Sequence, residues 1–78
     1  MKYAATEKQG QYLAFIYYYT KIHGVAPAEA DLQKFRVTLP SVHRMVVTLH
    51  AKGLIYRTPG AARSIRLLVP ASSLPRLT

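Results

Sequence analysis

The first third of the chain sets its hydrophobic positions at helical spacing. Thr6-Glu7-Lys8-Gln9 has the form of a capping box, a Thr N-cap answered by Gln three residues on. Beyond it, Tyr12 or Leu13, Phe15, Ile16, Tyr19 and Thr20 form a broad stripe that predicts a helix over Glu7–His23, centred on Ile16. Gly24 stands where a left-handed residue ends a helix, and Pro27 marks the break. A second, short helix is expected from Ala28 to Phe35. Glu29 and Asp31 favour its positive end, and Leu32 and Phe35 are its inward residues. Arg36 and Val37 then lead tightly into a third helix over Thr38–Lys52. Thr38 suits its N-cap, Pro40 its first turn and Gly53 the position just past its end. Val42, Met45, Val46 and Leu49 recur at intervals of three and four and give this helix one apolar stripe. After Gly53 the period drops to two. Leu54–Arg57 and Arg63–Val69 read as strands around the turn residues Thr58–Ala62, with Ile65 and Leu67 on one side and Ser64 and Arg66 on the other.

Three helices followed by a basic hairpin describe a mainly α fold with a small β-hairpin, a winged helix-turn-helix of three helices plus wing. It takes up residues 1–69. Residues 70–78, with Pro70, Pro75 and two serines, read as a C-terminal tail that tucks Leu74 or Leu77 onto the body. Seventy-eight residues make one domain with a modest core. The chain has no cysteine, which excludes a disulfide framework and thiolate metal ligation and fits a reducing cytoplasm. No apolar run approaches the ~20 residues that cross a membrane. Met1-Lys2-Tyr3 leads into polar sequence, unlike a signal peptide.

Charge changes the picture most. The formal net charge is +8. Glu7, Glu29 and Asp31 are the only acids, and Lys2, Lys8 and Lys21 balance them within the first 31 residues. From Leu32 onward there are eight bases and no acid. That asymmetry points to a polyanion as partner, against the plainer reading of charge kept for solubility.

The polar face of the third helix carries Ser41, His43, Arg44, Val47, Thr48 and Ala51. It has small residues, hydrogen-bonding groups and a cation, which is what the major groove of a duplex accepts. Ser41, His43, Arg44 and Thr48 are the candidate base contacts. Lys34, Arg36, Thr38, Lys52 and Arg57 are candidate phosphate contacts, and Arg63 and Arg66 belong to the wing. Each has a plainer reading as a cap or a solvated charge.

Tyr17-Tyr18-Tyr19 is better read as core and rim than as a stacking platform for single strands. His23, His43 and His50 do not make a metal set, since no carboxylate or thiolate joins them. No cofactor is implied. The acids that a metal-dependent nuclease requires lie outside the basic half, and no nucleophile with its base is evident, so an enzyme is not expected.

The motifs Thr6-x-x-Gln9 with Phe15-Ile16, Gly24-x-x-Pro27, Leu49-x-x-Lys52-Gly53-Leu54-Ile55 and Gly60-Ala61-Ala62-Arg63-Ser64-Ile65-Arg66-Leu67-Leu68 resemble the N-terminal DNA-binding domain of LexA, the repressor of the bacterial SOS response. Small prophage-type proteins built of that domain alone are similar too. The resemblance covers about four-fifths of the chain, from Thr6 to Val69. It implies a cytoplasmic, nucleoid-associated repressor of transcription that binds double-stranded DNA, as a homodimer or with a protein partner. Two departures limit what it implies. The link between the second and third helices is a residue or two shorter than in LexA. Where LexA tends to carry Asn and Glu on the reading face, this chain has Pro40, His43 and Arg44, so the LexA operator is not carried over. The self-cleaving peptidase and its Ser–Lys dyad have no counterpart in these residues, so induction by autoproteolysis is not expected of them alone. Two further readings compete: a winged-helix module of a phage or mobile element that docks on a host protein, and a binder of structured RNA.

Overall fold

The structure, a computed structural model, describes residues 5–35 and 37–77, without the side chains of Lys34 and Phe35. Helix α1 runs over Glu7–His23 and α2 over Leu39–Ala51. Between them lies a 3-10 helix over Glu29–Phe35. Strands β1 (Ile55–Tyr56) and β2 (Arg66–Leu67) follow, then a short 3-10 turn over Ala71–Ser73.

Local chemistry sets the ends of both α-helices. The Thr6 hydroxyl accepts from the Gln9 N–H at 3.1 Å, and the Gln9 side chain accepts from the Thr6 N–H at 3.0 Å, which closes the capping box. Gly24 ends α1 at φ 75°, its N–H donating to the Thr20 carbonyl. Thr38 caps α2, with Pro40 in the first turn. At the far end the Gly53 N–H donates to His50 O and the Leu54 N–H to Leu49 O, both at 3.0 Å. These paired bonds are a Schellman ending, and Gly53 takes its left-handed position at φ 76°. The ending turns Leu54 back over Leu49, and both side chains are buried.

The expected second α-helix is instead a 3-10 helix. Seven residues offer few i→i−4 bonds, and the N–H of Ala28 is taken by Asp31 Oδ2 at 2.8 Å. Among the described residues the α-helices are therefore two rather than three. Val37 packs against the core beside them.

The wing is also shorter in its strands than its alternation suggests. Only Ile55 with Leu67 and Tyr56 with Arg66 pair, antiparallel, and the Leu68 N–H adds a bond to Leu54 O. Residues 57–65 leave the ladder for turn chemistry. The Ala61 N–H donates to Thr58 O across Pro59 and Gly60, the latter at φ 79° as the third residue of a turn requires. Ser64 Oγ takes the Thr58 N–H at 2.9 Å, a donor that a longer ladder would have used. The expected alternation survives on β2 and just before it: Ile65 is buried, Leu67 is packed on the core and Arg66 is exposed.

One core holds these pieces. Tyr12, Leu13 and Ile16 of α1 meet Leu32 of the 3-10 helix, Val42, Val46 and Leu49 of α2, and Leu54, Ile55 and Ile65 of the hairpin. Phe15 and Met45 pack at its margin, whereas Thr20 is exposed. The tail closes over α1: Leu74 packs on the core and Gln11 Nε2 donates to Arg76 O at 2.8 Å.

Candidate nucleic-acid interface

Burial of Val42, Val46 and Leu49 turns the opposite side of α2 outward. Pro40, Ser41, Arg44, Val47 and Ala51 are exposed there, and no acid shares the helix. The Thr38 hydroxyl accepts from the Ser41 N–H at 3.3 Å and donates to Ser41 Oγ at 3.1 Å, which leaves the Ser41 proton to donate outward. Thr48 is half-buried and donates its hydroxyl to Arg44 O at 2.9 Å, so it offers acceptor capacity only. The Arg44 guanidinium has no partner among the described residues.

His43 sits at the edge of this face, where α2 meets the 3-10 helix. Its Nδ1 lies 3.0 Å from Glu29 Oε2. In the sequence Glu29 reads only as a helix-end acid. The contact joins positions 14 apart on different elements, and nothing in local spacing signals it.

The expected wing and backbone cations divide into engaged and free. Arg63 is turned back onto the body. Its Nη1 donates to Ala26 O at 3.0 Å and to the Tyr19 hydroxyl at 3.2 Å, and lies 3.3 Å from Asp31 Oδ2. Its backbone is left-handed at φ 56°, a conformation these contacts hold in place. Asp31 has its carboxyl held below the usual carboxylate range, first by the Ala28 N–H and then by the Tyr19 hydroxyl, Arg63 and His23. Lys52 is engaged too: its Nζ donates to Gln9 Oε1 at 2.8 Å and braces the end of α2 against the start of α1.

Arg57 and Arg66 have no such partners among the described residues. Arg57 lines a cleft of about 330 Å³ between the 3-10 helix, α2 and the wing, together with Glu29, His43 and Arg63. Arg66 is exposed on β2 beside Tyr56 and borders a second cleft of about 470 Å³. The expected contacts at the Lys34 side chain and at Arg36 lie outside the described residues. Among the described residues no three His, Asp or Glu side chains gather at a metal-binding distance, and no helix is long and apolar enough to cross a membrane.

On the far side of α1, Tyr18 and Ile22 are exposed. Tyr17 and Tyr18 meet edge to face at 5.0 Å, and Lys21 Nζ lies 5.7 Å from the Tyr17 ring centre. The tyrosine run therefore divides, with Tyr19 serving the Arg63 contact.

No protein-family model matches the chain. It is 39% identical over 70 residues to a LexA repressor of Thermosipho melanesiensis, an alignment that takes in 88% of this chain and 35% of that protein. The chain thus spans about a third of the length of this curated relative. The likeness extends from the motifs of both helices and the hairpin to nearly the whole sequence: this is a LexA-like domain.

Proposed function

We propose that this chain binds duplex DNA and represses transcription by occupying its site, with no chemistry of its own. One observation carries the reading: α2 is packed on one side only, and its outer face is free of acid and centred on Arg44, which has no partner among the described residues. Such a helix fits the major groove, where Arg bonds guanine O6 and N7 together and Ser41, His43 and Val47 meet neighbouring edges or a thymine methyl. Arg57 and Arg66 follow the phosphates beside it, and Thr38 places a helix N-terminus near the backbone. Arg63 acts in this reading through the shape of the wing rather than as a free cation. The likeness to a protein named LexA repressor supports the assignment, and it is the ground for expecting the same class of partner here.

The longest extent of the molecule is 31 Å, less than the ~34 Å between half-sites one helical turn apart. One copy therefore covers a single half-site, and two copies on a two-fold operator supply selectivity.

Titration of duplex binding against salt tests the reading. With about five phosphates neutralised, log K falls with log[salt] at a slope near −4.5. A flat dependence, or no affinity for duplex DNA, refutes it. Arg44→Ala is expected to relax preference at one base pair, whereas Arg57→Ala weakens all sequences alike by lowering the salt slope by about 1. Competition with structured RNA separates that alternative.

Exposure of Tyr18 and of Ile22, the latter at 74%, favours a second reading in which the far side of α1 docks on a protein. Association that survives nuclease treatment and fails in Ile22→Asp would support it.

A further inference from the structure

The hydrogen bond between Glu29 and His43 reaches the outer face of α2 from another element. A carboxylate oxygen accepts and does not donate, so the Nδ1 that faces Glu29 Oε2 at 3.0 Å carries a proton. In a neutral ring the other nitrogen, Nε2, is then an acceptor. The His43 side chain is 54% exposed, and Nε2 has no partner among the described residues.

We propose that Glu29 is a positioning residue for base reading: it fixes the tautomer and the orientation of His43 through Nδ1, so that Nε2 selects a base with an amino group on its major-groove edge. Adenine N6 and cytosine N4 are the two such groups. The inference rests on the duplex-DNA reading above and names what one position of that face recognises.

The surroundings favour a fixed ring. Pro27 is buried at the entry to the 3-10 helix, and Asp31 holds the Ala28 N–H, so the backbone that carries Glu29 is anchored on both sides. Arg57 and Arg63 are the other charged groups that line the cleft shared by Glu29 and His43. Arg63 is paired with Asp31, and the Glu29 carboxylate has His43 as its partner among the described residues. On α2 the neighbouring cation, Arg44, belongs to the outward face. A surface pair with no reading role would add little to stability and would leave base preference untouched. That difference makes the two roles separable.

The test is selection of bound sequences from a random duplex library at about pH 8.5, above the ordinary imidazole range. It compares the wild type with Glu29→Met, Glu29→Gln and His43→Ala, each checked for native circular dichroism. In the wild type one position favours adenine or cytosine about fivefold, the scale of one net hydrogen bond. Glu29→Met keeps the side-chain bulk but offers no acceptor, and brings that preference below about twofold, as does His43→Ala, with other positions unchanged. Glu29→Gln retains it, because the amide oxygen still accepts from Nδ1–H. Wild-type preference persisting in Glu29→Met overturns the proposal, as does its loss in Glu29→Gln or an unchanged pattern in His43→Ala. Absence of duplex binding in the wild type overturns instead the function on which the proposal rests.

Discussion

Asp31 serves the fold at two places at once. It closes the start of the 3-10 helix through the Ala28 N–H and meets Arg63 from the wing. Its carboxyl is held below the ordinary carboxylate value, chiefly by that N–H. The unfolded chain therefore takes up this proton more readily than the folded one. The stabilisation is complete above the unfolded Asp value of about 3.9 and is lost as pH falls through the lower folded value. Asp31→Asn is expected to lower the melting temperature at neutral pH and to flatten its fall in acid. Thermal unfolding of both chains from about pH 6 down to pH 2 checks this, and parallel curves would refute it. The residues whose roles were legible in the sequence have partners close by in the chain, as in Thr6 with Gln9. The Glu29–His43 contact and the Arg63 contacts were not legible, because they join positions between 14 and 44 apart. An arginine on a wing looks like a free cation until the fold brings Tyr19 and Ala26 beneath it.

The regular helices were readable because their ends are written in side chains. Thr6, Gly24, Thr38, Pro40 and Gly53 each act at the position their chemistry suits. Gly53 shows how strongly. A Cβ added there would meet nothing within 4 Å, so Gly53→Ala costs only the left-handed backbone, about 1 kcal/mol. Urea unfolding should show a lower midpoint with an unchanged slope, and a changed slope would mean that the hairpin had come loose as well. The 3-10 segment was not readable as such. Periodicity marks Leu32 as inward in either kind of helix, and the choice fell to the length of the segment and to the Asp31–Ala28 bond. The strands were overestimated for a related reason: alternation from Arg63 to Val69 is real on the buried side, but a hydroxyl at Ser64 competes for the backbone that a ladder needs.

At the scale of the whole molecule, one core, of ten buried side chains among the described residues, supports every surface that bears on function. Leu49 belongs to it, fully buried on α2, with its carbonyl bonded in the Schellman turn. Leu49→Ala is expected to cost about 2–5 kcal/mol, a large share of the 5–15 kcal/mol typical of a domain. Circular dichroism on heating should show a melting temperature lowered by ten degrees or more, at the order of magnitude expected for a small domain. Loss of DNA affinity in this variant should track the loss of fold. The charge balance was legible at this scale, since the acid-free second half needs only counting. Its distribution in space was not, because it depends on which bases the fold engages: Lys52 and Arg63 face inward partners while Arg44, Arg57 and Arg66 do not.

Gln9 Oε1 receives both the Thr6 N–H and the Lys52 ammonium. One oxygen thus joins the first turn of α1 to the end of α2, across 43 positions. Helix ends ordinarily fray independently, each at its own small cost. Here opening at the start of α1 withdraws the acceptor that Lys52 uses at the end of α2, so the two ends do not open wholly independently. The orientation of the helix that carries Arg44 is thereby tied to a capping motif at the other end of the molecule's sequence.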